Sequence, residues 1–157
     1  MSQATRVVFD CNTFLQALSS PDGPAGKCFQ LAVDGQVTLF ISPAILDEFH
    51  DVSSRPRVVA KLRLRPDRVT EFSEAIQLVA TILSDFPQPF AYARDPDDAE
   101  YVNLALAAQA ALIVTRDNDL LDLMDVGRTE GNDFQARFPT LTILNSVQFL
   151  HTIRVRQ

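Results

Sequence analysis

The hydrophobic pattern along the chain changes period several times, and each change marks an element. Val7-Val8-Phe9 is an apolar run closed by Asp10, which reads as a strand buried on both faces. Residues 12–19 are spaced as a helix and give way to the turn cluster Ser20-Pro21-Asp22-Gly23. Pro24 then opens a helix to about Asp34, with Gly35 as its stop. Val37–Ile41 alternates as a second strand. Ser42 suits an N-cap and Pro43 a first turn, on a helix where Ile45, Leu46 and Phe49 share a face. Residues 55–65 are basic and read as helical, and Pro66-Asp67 opens a long helix to about Ser84. Its apolar stripe is Val69, Phe72, Ile76, Val79, Ala80 and Leu83. Residues 43–84 thus form a helical arm or cap. Residues 86–89 are a linker, and Asp95-Pro96-Asp97-Asp98 precedes a helix over 99–109. A strand over 111–115 leads to Asp117, and 120–124 make a short helical turn. Residues 127–139 read as a polar loop, 141–144 as a last strand and 146–152 as a last helix.

Strands alternating with helices imply an α/β fold with a central, mostly parallel sheet flanked by helices. The length of 157 residues fits one domain over 1–157, with no repeat or linker dividing it. Sheets of this kind bind ligands beyond the carboxyl ends of their strands, so that edge is where chemistry is expected. No apolar run is long enough to span a bilayer, and Met1–Arg6 lacks the apolar core of a secretory signal. Cys11 and Cys28 read as reduced thiols of a cytoplasmic protein. His50 and His151 stand alone, which leaves little for a zinc site or a Ser-His-Asp triad.

The formal net charge of −6 weighs against a passive nucleic-acid module, which should be basic. It weighs less against an enzyme that gathers carboxylates around metal ions, because the cations invert the local field. Two strands end in an acid, Asp10 and Asp117, and parallel neighbours would bring both to one edge. Asp98 opens the helix leading into the second of these strands, with Tyr101, Val102 and Ala105 anchoring its inner face. Glu48, one position before Phe49, leans toward the same crevice. Oxygen-only ligands suit Mg²⁺ or Mn²⁺. Each acid also has a plain reading: Asp95, Asp97 and Asp98 as favourable charge at a helix start, Asp117 as a cap, Glu48 as a solvated residue. Clustered carboxylates repel, so neutralising Asp10 is expected to leave the metal-free fold at least as stable.

These residues resemble the PIN-domain family of ribonucleases, and in particular the VapC-like toxins of bacterial toxin–antitoxin pairs. Val7-Val8-Phe9-Asp10-Cys11-Asn12 resembles the family's opening strand with its Asp-Thr-Asn signature, Cys11 replacing the threonine. Residues 42–49 match the segment of the second acid, which gives Glu48. Residues 95–105 match the third-acid motif, with Asp98 in the catalytic position, and Thr115-Arg116-Asp117-Asn118-Asp119 matches the last. The resemblance implies a three-layer, Rossmann-like PIN domain with Asp10, Glu48, Asp98 and Asp117 as catalytic residues. It implies that Asp10, Asp98 and Asp117 hold Mg²⁺ or Mn²⁺, with Glu48 and Asp119 as further ligands and Asn12 and Thr115 behind them. It also implies an endoribonuclease acting on RNA, a homodimer and a cognate antitoxin.

Arg55, Arg57, Lys61, Arg63, Arg65 and Arg68 bring six of the chain's 14 Lys and Arg residues close together. They form either a phosphate-contacting arm or a solvated face. A haloacid-dehalogenase-type phosphatase would need an acid at Asn12 and a later lysine, whereas only Lys27 and Lys61 exist. The missing lysine also counts against a response-regulator receiver. The alternative from another class is a non-catalytic PIN-fold module that binds RNA or protein.

Overall fold

The computed structural model describes residues 3–156, without the side chains of 155 and 156. Met1 and Ser2, where the leader reading begins, lie outside them. Five strands form one sheet: β1 (Thr5–Phe9), β2 (Val37–Ile41), β3 (Thr81–Ile82), β4 (Leu112–Val114) and β5 (Thr142–Leu144). Their order is β3-β2-β1-β4-β5 and every pairing is parallel. The helices are α1 (Cys11–Ser19), α2 (Pro24–Val33), α3 (Pro43–Ser53), α4 (Pro56–Leu62), α5 (Pro66–Val79), α6 (Ala99–Ala108), α7 (Asn118–Leu121), α8 (Thr129–Arg137) and α9 (Ser146–Arg156). This is the expected α/β architecture, a parallel sheet flanked by helices. Among the described residues no helix is long and apolar enough to cross a membrane.

Val7, Val8, Phe9, Leu39, Ile41, Leu112, Ile113 and Val114 are at most 2 % exposed. Burial on both faces explains why these strands read as unbroken apolar runs. Phe9 packs on Phe14 and, edge to face, on Phe149, which ties β1 to α1 and α9. Pro24, Pro43, Pro56 and Pro66 each open a helix, where a missing N–H costs nothing. The basic run is helical only over α4, because Arg63 takes a left-handed φ of 53° and closes it.

Two expectations fail. The helix expected to reach about Ser84 stops at Val79, and Thr81–Ile82 becomes an edge strand beside β2. Leu83 N–H also donates to the Ile41 carbonyl at 2.9 Å. The unpaired edge of β2 draws in a β-branched pair whose helical periodicity looks just as good locally. Residues 127–139, read as a loop, contain α8. Phe134, 2 % exposed, packs edge to face on Phe90 at 5.3 Å, and Phe138 lies 5.2 Å from Phe134. A helix anchored by two aromatics at i and i+4 on an otherwise polar segment leaves only a faint periodic signal.

Candidate metal centre and active site

Asp10 closes β1 and caps α1. Its Oδ1 accepts from the Thr13 N–H at 2.8 Å and from the Thr13 hydroxyl at 2.6 Å. Its Oδ2 accepts from the Thr115 hydroxyl at 2.5 Å. Thr115 Oγ1 in turn accepts from the Asp117 N–H at 2.9 Å, so one hydroxyl links the acids at the ends of two neighbouring strands. Asp117 caps α7, its Oδ1 accepting from the Asp119 N–H at 2.9 Å. The plain reading of Asp117 as a cap therefore holds alongside any chemistry. Burial raises the Asp10 pKa above 3.8, with the bonds from Thr115 and Thr13 opposing it.

Asp98 ends a short 3-10 turn, Pro96–Asp98, that leads into α6. It is 6 % exposed, and its Oδ2 is buried without a hydrogen-bond partner among the described residues. Burial, with the charges of Asp117 and Asp95 next, pushes its pKa up to about 8. Asp95, Asp98, Asp117 and Asp119 each offer an oxygen, and these lie within 4.8 Å of one another. Asp10 and Glu48 are not among these four. Asp10 stands close enough to add to the charge felt by Asp98 and by Glu48. An orphaned buried oxygen among acids, with no histidine or thiolate in the set, fits a hard divalent cation.

Glu48 is half-buried on α3, and its Oε1 accepts from the Tyr101 hydroxyl at 3.0 Å. The same hydroxyl accepts from the Cys11 N–H at 3.1 Å. Burial raises the Glu48 pKa, the Tyr101 bond opposes this, and Asp10, Asp97 and Asp95 add to it. Tyr101, counted in the sequence only as an apolar anchor, thus joins the opening of α1 to Glu48. Tyr101→Phe is expected to strand a buried N–H and cost about 1–3 kcal/mol in urea unfolding. A Phe variant as stable as the parent would remove this role.

Cys11 is buried in α1 with its thiol pKa raised, burial being the main cause, so it places an inert group where a hydroxyl was expected. Asn12 is exposed on the same helix. In the sequence Asp95 carries only the plain reading of helix-start charge, and nothing singles out Arg94. Both lie on the segment before α6, which Asn103 holds down. Its Oδ1 accepts from the Phe90 N–H and its Nδ2 donates to the Phe90 carbonyl, both at 2.9 Å. A buried asparagine five residues past Asp98 was the available signal.

A groove of about 1040 Å³ runs outward from Glu48 and carries Asp47, Asp51, Asp97 and Glu100 against a single cation, Arg55. Arg55 is bonded to Asp51 at 2.6 Å, and Arg65 to Asp67 at 3.1 Å. Arg57, Lys61 and Arg63 are exposed and make no ion pair among the described residues.

A family model described as PIN domain matches residues 6–119. An uncharacterized protein of Methanocaldococcus jannaschii is 30% identical over 136 residues, 86% of each chain. The crystal structure of VapBC2 from Rickettsia felis bound to a DNA fragment from its promoter contains a similar fold. Its TM-score is 0.53 at 16% identity, over 90% of this chain and 98% of that one.

Proposed function

The chain belongs to the PIN-domain family, and from that premise we propose that it is a metal-dependent endoribonuclease, the toxin of a toxin–antitoxin pair. The observation that carries the reading is the buried Asp98 carboxylate, whose Oδ2 has no hydrogen-bond partner among the described residues and which sits among acids. Asp95, Asp98 and Asp117 are the assigned holders of Mg²⁺ or Mn²⁺, with Asp119 at the edge and Asp10 completing the charge from the end of β1. A bound cation there would neutralise a phosphodiester and make water a better nucleophile.

The chain's own groups do the rest. Thr115 and Thr13 hold the Asp10 carboxylate in one orientation at the end of β1. Glu48, its pKa raised by burial, is the assigned general base for the attacking water, and Tyr101 sets its orientation. Asn12 is the assigned polar neighbour at the open side. Purified protein incubated with single-stranded RNA is expected to cleave it in Mn²⁺ and not in EDTA. If no RNA in a mixed-sequence pool is cut and the metal leaves the melting temperature unchanged, the non-catalytic binding module becomes the better account.

Arg57, Lys61 and Arg63 are the proposed phosphate contacts. Replacing all three by Gln is expected to flatten the salt dependence of RNA binding by about 2 units, at roughly 0.7 per contact on a single strand. An unchanged slope would leave them a solvated face. The acidic groove repels phosphate and suits a cationic segment, which supports an antitoxin as partner there. The structural similarity to a toxin–antitoxin complex supports the same partner. A homodimer and a cytoplasmic location complete the proposal. The exposed Leu78 and Ile82 beside the sheet edge support the first, and two free cysteines the second.

A further inference from the structure

Arg94 has no part in that mechanism, yet among the described residues it is paired with one of the four acids. Its Nε lies 2.6 Å from Asp119 Oδ1 and its Nη2 2.7 Å from Asp122 Oδ2, with Glu130 at 4.0 Å. The segment leading into it is held at two points. The Tyr92 hydroxyl donates to the Asp119 carbonyl at 2.7 Å, and Asn103 grips Phe90. One guanidinium fork therefore spans two acids in a preorganised segment.

We propose that Arg94 is a built-in counter-ion that reserves the Asp119 carboxylate, so that the resting site holds one divalent cation and takes a second only when Arg94 lets go. This rests on the metal-centre reading above. Asp119 is one of the four acids whose oxygens lie within 4.8 Å of one another, and among the described residues it is the one paired with a cation. Asp98, 6 % exposed with an unpartnered Oδ2, is the member that asks for an ion. A fixed positive charge bonded to Asp119 repels any ion that would use that carboxylate. A surface ion pair with only a structural role would leave metal binding alone.

Counting Mn²⁺ directly, by the electron paramagnetic resonance of the free ion during titration of the full chain, tests this. The parent is expected to bind one ion tightly. Arg94→Gln is expected to bind a second ion, or the first at least about tenfold more tightly. Arg94→Lys keeps a charge but lacks the planar fork that spans Asp119 and Asp122, so its affinity should fall between the two. It carries the test if the Gln variant does not fold. Variants that match the parent in number and affinity overturn the role of Arg94. Asp98→Asn separates the two failures. If it loses the ion while Arg94→Gln matches the parent, only the counter-ion role falls. If neither the parent nor any Arg94 variant binds Mn²⁺, the metal centre falls with it.

Discussion

Asp98→Asn is expected to cut RNA cleavage by about 10²–10³-fold, on the scale of losing one preorganised group at developing charge, and yet to leave the metal-free protein at least as stable as the parent. The two halves follow from one fact. Asp98 is a buried carboxyl beside Asp117 and Asp95, and its Oδ2 has no hydrogen-bond partner among the described residues. At neutral pH without metal its pKa of about 8 keeps it mainly protonated. An asparagine is then close to isosteric with the resting acid. Its amide can donate toward the neighbouring carboxylates as the protonated acid does, and unlike the acid it cannot ionise among them. A gain of about 1 kcal/mol would raise the melting temperature by roughly 2–4 °C. What the variant loses is the anionic ligand. Adding Mn²⁺ should therefore stabilise it less than the parent. Thermal melts with and without Mn²⁺, alongside a cleavage assay, read both halves. A metal-free melting temperature below the parent's would make Asp98 a structural residue.

Asp10 is expected to behave differently, and here the structure changes the reading taken from the sequence. Repulsion alone suggests that neutralising Asp10 helps the metal-free fold. In the structure its two oxygens accept three hydrogen bonds, from Thr13 N–H, Thr13 Oγ1 and Thr115 Oγ1. An asparagine puts a donor where one of these donors points. The lost bond opposes the relieved charge, so Asp98 and not Asp10 is the position where neutralisation should favour the empty site.

The parts of the fold that were legible are those whose signal is local. Val7-Val8-Phe9 declares a buried strand by itself, and Pro24 with Gly35 brackets α2 from both ends. Asp10 and Asp117 were readable because an acid closing a buried strand sits at the sheet's ligand edge whatever else the chain does. What escaped depends on distant partners. β3 exists because β2 leaves an open edge, and α8 because Phe90 receives Phe134. Asp95 and Arg94 escaped for the same reason. Their segment has no periodicity, and its position is set by Asn103 and Tyr92 through bonds that no sequence spacing records. Tyr101 sits at helical spacing from Asp98 and looked like core, which it is at 3 % exposure. Only its hydroxyl reaches the site.

Without metal, the protein is expected to lose stability as pH rises from about 4 to about 8, and Mn²⁺ is expected to reverse that trend. The Asp98 pKa is raised in the folded state, from an ordinary 3.8 to about 8. A raised acid favours the fold fully below its unfolded value, and that contribution is lost as pH climbs through the folded one. Asp10 and Glu48 are raised as well and act in the same direction. The metal needs the deprotonated acid, so binding releases the proton held by Asp98. Below about 8 its affinity should rise by about tenfold per pH unit, equivalent to about 1.4 kcal/mol, and then level off. A ligand that binds only the native state at a hundredfold excess over its Kd adds about 2.7 kcal/mol. For a domain of this size that is roughly 5–10 °C in melting temperature. At pH 5.5 a millimolar Mn²⁺ addition should barely move the melt, and at pH 8 it should move it most. Parallel pH profiles with and without Mn²⁺ would mean that the buried carboxyl does not exchange its proton for a cation, and the centre built around Asp98 would have to be given up.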